Sequence, residues 1–152
     1  MKTAKTLILL LLIAACTSPS KNNLQDYMVG SWETEYIKIE YPTIQKSDSS
    51  YVFEDDFSKP NVGRAQSLYK KDGTFSAWFK QPDGTKVGES SGLWKTKGDS
   101  LFVDYTYQGK KVEAWYIIKQ TDTGFNGTVI YDWDGDGEFD DKLFMKTKKI
   151  TK

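Results

Sequence analysis

The residues best suited to chemistry lie in one acidic stretch, residues 132–141, which reads DWDGDGEFDD. Carboxylates at alternate positions, Asp132, Asp134 and Asp136, supply the oxygen ligands that a hard cation prefers. Gly135 and Gly137 let the chain turn sharply between them. The stretch therefore predicts either a calcium-binding loop or an acidic hairpin turn that uses its two Asp-Gly steps to reverse the chain.

The order of these residues resembles the first half of an EF-hand-type calcium loop. That resemblance implies five ligands: Asp132, Asp134, Asp136, the carbonyl of Glu138, and Asp140 directly or through water. The twelfth position is Leu143, where such a loop carries a bidentate Glu, and Asp141 is the alternative ligand if the loop closes early. We expect a calcium ion bound here to be structural rather than catalytic.

Composition excludes several catalytic mechanisms. The chain has no His and a single Cys, which excludes a Ser-His-Asp triad, a Cys-His pair, a His-ligated zinc and a disulfide within the chain. Paired carboxylates remain possible for glycoside hydrolysis, from a set that comprises Glu33, Glu35, Glu89, Asp104 and Glu113. Nothing in the sequence distinguishes two of them. We therefore predict no catalytic residues and a protein that is not an enzyme.

The net charge of the chain indicates whether nucleic acid is among its partners. Lys and Arg together number 21, and so do Asp and Glu, so the formal net charge is zero. A protein that binds nucleic acid usually carries a basic excess or a basic stripe, and neither is visible here. We expect no nucleic-acid partner.

The N-terminus has the pattern of a signal peptide. Lys2 and Lys5 precede an unbroken apolar run, residues 7–15, which is too short to span a bilayer and has the length of a signal-peptide core. The run ends at Cys16, and the junction resembles the lipobox of bacterial lipoproteins. The resemblance implies cleavage before Cys16 and acylation of that residue, which would anchor the protein to a membrane. An ordinary secretory peptide is the alternative.

Three segments follow from this pattern: a signal peptide over 1–15, the lipidated Cys with a flexible polar tether over 16–23, and a folded domain over 24–152. Thr17 follows the lipidated residue, whereas the inner-membrane retention signal of some Gram-negative bacteria places Asp there. The resemblance therefore implies an outer-membrane lipoprotein. Because no acidic run follows Cys16, we expect it on the periplasmic face.

Turn signals recur at regular spacing through the folded domain and predict an all-β fold. The segments between them are rich in β-branched and aromatic residues, in a chain with 5 Trp, 9 Tyr and 8 Phe. The predicted strands are 31–40, 64–71, 74–81, 86–97, 100–107, 111–119, 125–132 and 139–148. Eight such strands can close into an antiparallel up-and-down barrel, which removes both exposed edges.

Two features interrupt this regular pattern. Asn23 is placed to cap a short helical turn that carries Leu24, Tyr27 and Met28 on one side. Residues 41–63 form a long connection between the first and second predicted strands, and this connection contains apolar residues of its own. We expect it to fold over the mouth of the barrel.

The segment Gly30-Ser31-Trp32 opens the first strand directly after that helical turn. It resembles the Gly-x-Trp signature of lipocalins, and the whole pattern resembles the small lipocalin-like lipoproteins of Gram-negative bacteria. The resemblance implies that Gly30 and Trp32 are structural and that the barrel holds an apolar ligand. The sequence departs from lipocalins in lacking a late Arg to stack on Trp32. The cations available near the end are Lys146, Lys148 and Lys149.

Two functions follow as hypotheses. The first is a non-enzymatic, outer-membrane-anchored lipoprotein that binds a small apolar or amphipathic ligand inside a hollow barrel. The second is a cell-envelope module for protein or glycan interaction, with a solid core and exposed aromatics such as Trp78, Trp115 and Trp133; a calcium ion bound at the acidic stretch would stabilise it. A cavity favours the first, and a filled barrel with an aromatic outer row favours the second.

Overall fold

The computed structural model describes residues 23–60 and 62–151. Within them lie one short helix, α1 (Leu24–Met28), and nine strands. The strands are β1 (Gly30–Tyr41), β2 (Tyr51–Asp55), β3 (Arg64–Tyr69), β4 (Thr74–Lys80), β5 (Lys86–Lys97), β6 (Ser100–Tyr107), β7 (Lys110–Gln120), β8 (Gly124–Tyr131) and β9 (Asp141–Lys149). The predicted signal peptide (1–15) and Cys16 with most of its tether lie outside the described residues.

Eight of these strands close into an antiparallel barrel, which confirms the predicted fold class. The strands β3 to β9 pair in chain order, and β9 returns to pair with β1, from Trp32 opposite Lys149 to Glu40 opposite Lys142. Each strand of the barrel therefore has a neighbour on both sides, although β1 pairs with β3 only from Gly30 to Glu33 and β7 with β8 only from Ile117 to Gln120.

The connection at residues 41–63 contains a strand that the sequence analysis placed in a loop. β1 pairs with β3 only over Gly30–Glu33, so the far end of β1 has a free edge on that side. Strand β2 occupies this edge, pairing with β1 from Ile37 opposite Asp55 to Tyr41 opposite Tyr51. The β-branched and aromatic residues of β2 suit this position, and the unpaired backbone groups of β1 require a partner.

Helix α1 closes one end of the barrel. The Asn23 side chain accepts a hydrogen bond from the backbone N–H of Gln25, as the predicted cap requires. Leu24 and Met28 are buried, and Trp32 beneath them is 1% exposed. The Trp32 indole Nε1 donates a hydrogen bond to the Met28 carbonyl at 2.8 Å, so the helix and the first strand are joined at this residue.

The barrel core follows the alternation of the strands. Along β7, Val112, Ala114, Tyr116 and Ile118 point inwards and are buried. Trp115 and Ile117 lie between them and are exposed, so this strand is apolar on its outer face as well. Among the described residues, no helix is long and apolar enough to cross a membrane.

Candidate functional site

The barrel interior contains a cavity of about 210 Å³. Its lining includes Phe75, Leu101, Phe125 and Met145, with the polar side chains of residues such as Ser67. No charged side chain among the described residues lines it. The cavity reaches solvent, because Gly88 and Tyr107 belong to its lining and are exposed. Its volume is larger than the ~150 Å³ of an apolar cavity that accommodates benzene and smaller than pockets for drug-sized ligands.

Four tyrosines line this cavity, of which Tyr107 is exposed and the other three are more deeply buried. Burial raises the pKa of Tyr69 and of Tyr116 well above the usual tyrosine value, and burial raises the pKa of Tyr105 to about 12. All three hydroxyls are therefore neutral at physiological pH, and each can donate or accept a hydrogen bond. A cavity with neutral hydroxyls and no charge suits an uncharged ligand with an apolar body.

The predicted structural residues, Gly30 and Trp32, lie at the helix end of the barrel. Trp32 packs edge-on against Phe125 at 5.0 Å between ring centroids. The ammonium of Lys149 lies 5.0 Å from the Trp32 ring centroid and donates to the Tyr27 carbonyl at 3.2 Å. Lys149 thus contacts the tryptophan ring from the last strand by a cation–π interaction. Gly30 has φ of +132°, and a Cβ there would meet Lys149 Cε at 3.1 Å.

The predicted metal ligands lie in the acidic loop, which we define as residues 132–141. Four of its carboxylates accept hydrogen bonds from backbone N–H groups. Within the loop, Asp132 accepts from Gly135, Asp136 and Gly137, Asp134 accepts from Asp136, Asp136 accepts from Glu138, and Asp141 accepts from Trp133 and Asp134. From outside the loop, the N–H of Gln45 donates to Asp134 and the N–H of Lys46 donates to Asp136. Gly135 and Gly137 have positive φ, of 79° and 91°, as the predicted sharp turn requires. The carboxylates thus hold the loop in one conformation.

Three of these acids come together. Asp132, Asp134 and Asp141 each place one carboxylate oxygen within 4.8 Å of the others. The other residues named from the sequence, Asp136, Glu138 and Asp140, do not belong to this group. In the prediction from the sequence, Asp141 is only an alternative ligand. The turn that the chain makes at Gly135 and Gly137 decides which carboxylates come together, and the sequence does not specify that turn.

Asp141 differs from the other acids in its burial, with 1% of its surface exposed. Its Oδ2 accepts hydrogen bonds from the N–H groups of Trp133 and Asp134, whereas its Oδ1 is buried without a partner among the described residues. Burial raises the pKa of Asp141 despite these two hydrogen bonds. The pKa of Asp134 is lowered, chiefly by the hydrogen bond from the Gln45 N–H.

A second cavity, of about 330 Å³, lies beside the acidic loop at the end of the barrel away from α1. Aromatic rings line much of it: Tyr41, Tyr107, Tyr131, Trp133 and Phe139. Lys110 and Lys111 contribute positive charge. This cavity could not be predicted from the sequence, because its wall combines the acidic loop with residues from β1 and β7 that are far apart in the chain.

The outer face of the sheet carries an aromatic row at β5–β7. Phe102 and Trp115 pair across two strands with ring centroids 5.0 Å apart, and Lys95 lies 4.9 Å from the Phe102 ring centroid. Trp115 is 42% exposed, and Leu93 and Ile117 on the same face are also exposed. Trp78, expected to be exposed, is instead buried beneath Lys86, whose ammonium is 3.6 Å from its ring centroid.

Most of the carboxylates considered for hydrolysis are in ion pairs. Lys148 lies 3.2 Å from both Glu33 and Glu35, and Lys111 pairs with Asp104 and Glu113. Burial acts to raise the pKa of Glu33, but hydrogen bonds from Gln66 and Lys148 outweigh this effect, and the pKa is lowered. Glu33 is therefore ionised at neutral pH, which does not suit a general acid.

Comparisons with known proteins give the chain no relative. No family model matches it, and neither the curated proteins nor the solved structures contain a significant match. The geometry of the cavity and of the acidic loop, together with the sequence pattern, is therefore the basis for assigning a function.

Proposed function

We propose that this protein is a non-enzymatic lipoprotein of the outer membrane whose lipocalin-like barrel binds a small, uncharged, amphipathic ligand. The observation that carries the proposal is the interior cavity of about 210 Å³, which is lined by apolar and aromatic side chains and by neutral hydroxyls. Solvent reaches it beside Gly88 and Tyr107, which gives a ligand a route of entry.

The lining sets the ligand class. An ionised group would lose its hydration in this cavity without gaining a countercharge, which costs several kcal/mol. A hydroxyl or amide could instead exchange hydrogen bonds with Tyr69, Tyr105 or Tyr116. A single ring or a short alkyl chain with one such group matches the available volume.

The anchoring part of the proposal depends on Cys16 and the apolar run before it. Lipid anchoring would hold the barrel close to a source of amphipathic molecules, and two or three acyl chains suffice for stable attachment. In this arrangement the barrel acts as a carrier or a store for a membrane-derived compound, on the periplasmic face.

The experiment compares two substitutions on β4. Ala77 lines the cavity, whereas the neighbouring Ser76 does not. We expect a small single-ring probe, benzyl alcohol, to bind the full chain and the Ser76→Phe variant alike in calorimetric titration. In Ala77→Phe the added ring fills part of the cavity, and probe affinity should fall by about tenfold or more. Equal binding by both variants would place the ligand outside the barrel.

The aromatic row at β5–β7 supports a second candidate function, interaction with a protein or glycan of the cell envelope. Exposed apolar side chains in a contiguous row often mark such surfaces. Trp115→Ala distinguishes the two proposals, since it removes the centre of the row and leaves the cavity lining intact. Loss of probe binding in Trp115→Ala, with retention in Ala77→Phe, would favour the outer face.

A further inference from the structure

We propose that a calcium ion binds between Asp132, Asp134 and Asp141 and fastens the acidic loop to the turn at residues 44–47. One carboxylate oxygen from each of the three acids lies within 4.8 Å of the other two. That spacing allows a single ion to contact all three at the 2.3–2.6 Å that calcium prefers. This set comprises two of the ligands predicted from the sequence, Asp132 and Asp134, and the alternative ligand Asp141.

The second observation is the buried Oδ1 of Asp141. Asp141 is 1% exposed, and this oxygen accepts no hydrogen bond from the described residues. An unpaired carboxylate oxygen removed from water costs free energy. The N–H groups of Trp133 and Asp134 account for Oδ2 of this side chain but leave Oδ1 without a partner, and a cation held by the three acids would supply one.

No lysine or arginine within the described residues forms an ion pair with a carboxylate of the acidic loop. Lys110 comes near, since its ammonium would be 2.0 Å from a Cβ built on Gly135. The Lys110 ammonium therefore lies beside Gly135, where it compensates part of the negative charge of the acidic loop. It does not come within ion-pair distance of Asp132, Asp134 or Asp141. The cluster therefore retains enough negative charge to attract a divalent ion.

The donor atoms select the kind of cation. The cluster offers carboxylate oxygens, and it contains neither His nor Cys, so zinc and copper are poorly matched. Calcium accepts six to eight oxygens in flexible geometry, which three carboxylates with backbone carbonyls and water can supply. Magnesium demands a stricter octahedron and gives up its water reluctantly.

The site also explains how the β1–β2 connection is held. Asp134 accepts a hydrogen bond from the Gln45 N–H, and Asp136 accepts one from the Lys46 N–H, both at 2.9 Å. Gln45 and Lys46 have φ of 49° and 62°, a strained conformation for residues other than glycine. A cation that fixes the Asp134 carboxylate would therefore hold this turn in place, along with the nearby wall of the second cavity.

The test uses terbium(III) as a luminescent substitute for calcium on the full chain, freed of metal with a chelator and kept in mild detergent. Trp133 lies between two of the ligands and should sensitise bound terbium. We expect luminescence that calcium displaces, and a melting temperature that rises by about 5–10 °C when calcium exceeds its Kd a hundredfold. Magnesium at the same concentration should displace terbium far less.

Two matched variants test whether terbium binds at these three carboxylates or to the negative charge of the acidic loop as a whole. Asp134→Asn should weaken terbium binding at least about tenfold, whereas Asp140→Asn, which removes a neighbouring acid outside the cluster, should leave it nearly unchanged. Lys110→Met should strengthen binding, because it removes a competing positive charge. The proposal is overturned if calcium leaves the melting temperature unchanged, or if Asp134→Asn and Asp140→Asn weaken binding equally.

Discussion

Trp32 connects the short helix and the first strand with the last two strands of the barrel. Its indole N–H bonds to the end of α1, its ring packs on Phe125 of β8, and Lys149 of β9 lies over its face. These three contacts join residues that are distant in the chain. The Trp32 side chain therefore links the helical turn, the first strand and the last strand.

Replacing Trp32 should be costly. Trp32→Ala removes a large buried surface and leaves a cavity that the rigid barrel end cannot fill, so we expect a loss of about 3–5 kcal/mol in the free energy of unfolding. Trp32→Phe retains most of the packing and should lose less. Urea denaturation measures both. A loss below about 1 kcal/mol in Trp32→Ala would show that this residue does not hold the helix to the barrel.

Cys16 can be tested in the same way, by a single change. Because it is the one residue that can receive the lipid, Cys16→Ser should leave an unprocessed precursor or a form that no longer partitions into detergent. Phase separation with mass measurement of the N-terminal peptide distinguishes these products from the acylated protein. A processed Cys16→Ser protein that still enters the detergent phase would contradict the anchoring proposal.

Among the strands, those whose ends are set by local turn residues are the ones that the sequence predicts correctly. The bounds of β5 and β6 match the predicted strands exactly, since Gly and Asp turns delimit them and their residues favour strands. β9 begins at Asp141 rather than at residue 139, because Phe139 and Asp140 belong to the acidic loop. β2 was missed because its pairing partner is the free edge of β1, which only the closed barrel creates.

The different positions of β2 and β9 predict different tolerance of proline. β2 pairs on one side only, so Val52→Pro should cost about 1–2 kcal/mol, consistent with the acceptance of proline on edge strands. Phe144 in β9 pairs with both β1 and β8, so Phe144→Pro should prevent folding. Circular dichroism and thermal melting report both outcomes. Equal destabilisation would mean that β2 is as integral to the barrel as β9.

At the scale of the whole molecule, the buried tyrosines make the barrel sensitive to alkali. Tyr69, Tyr105 and Tyr116 have raised pKa values in the folded state because of burial. The unfolded chain therefore releases protons above pH 10 that the folded barrel retains, and stability falls as the pH rises. For Tyr105, a pKa raised from 10.0 to about 12 corresponds to about 2 kcal/mol lost by pH 12, and to just under about 3 kcal/mol at still higher pH.

A pH titration that follows tyrosinate absorbance together with circular dichroism checks this prediction. The signal from Tyr69, Tyr105 and Tyr116 should appear only as the barrel unfolds, and Tyr105→Phe should move that unfolding to higher pH. Complete ionisation of all 9 tyrosines in an intact barrel would show that the cavity is more open to water than its geometry implies.

The central claim, that the cavity takes an uncharged amphipathic ligand of limited size, is tested most directly by calorimetric titration of the full chain with straight-chain alcohols and the carboxylates of equal length. Affinity for the alcohols should rise about fourfold with each methylene and stop rising once the 210 Å³ are filled. The carboxylates should bind at least about tenfold more weakly, because the cavity offers no countercharge. Equal affinity for both series, or affinity that rises without limit, would contradict the account.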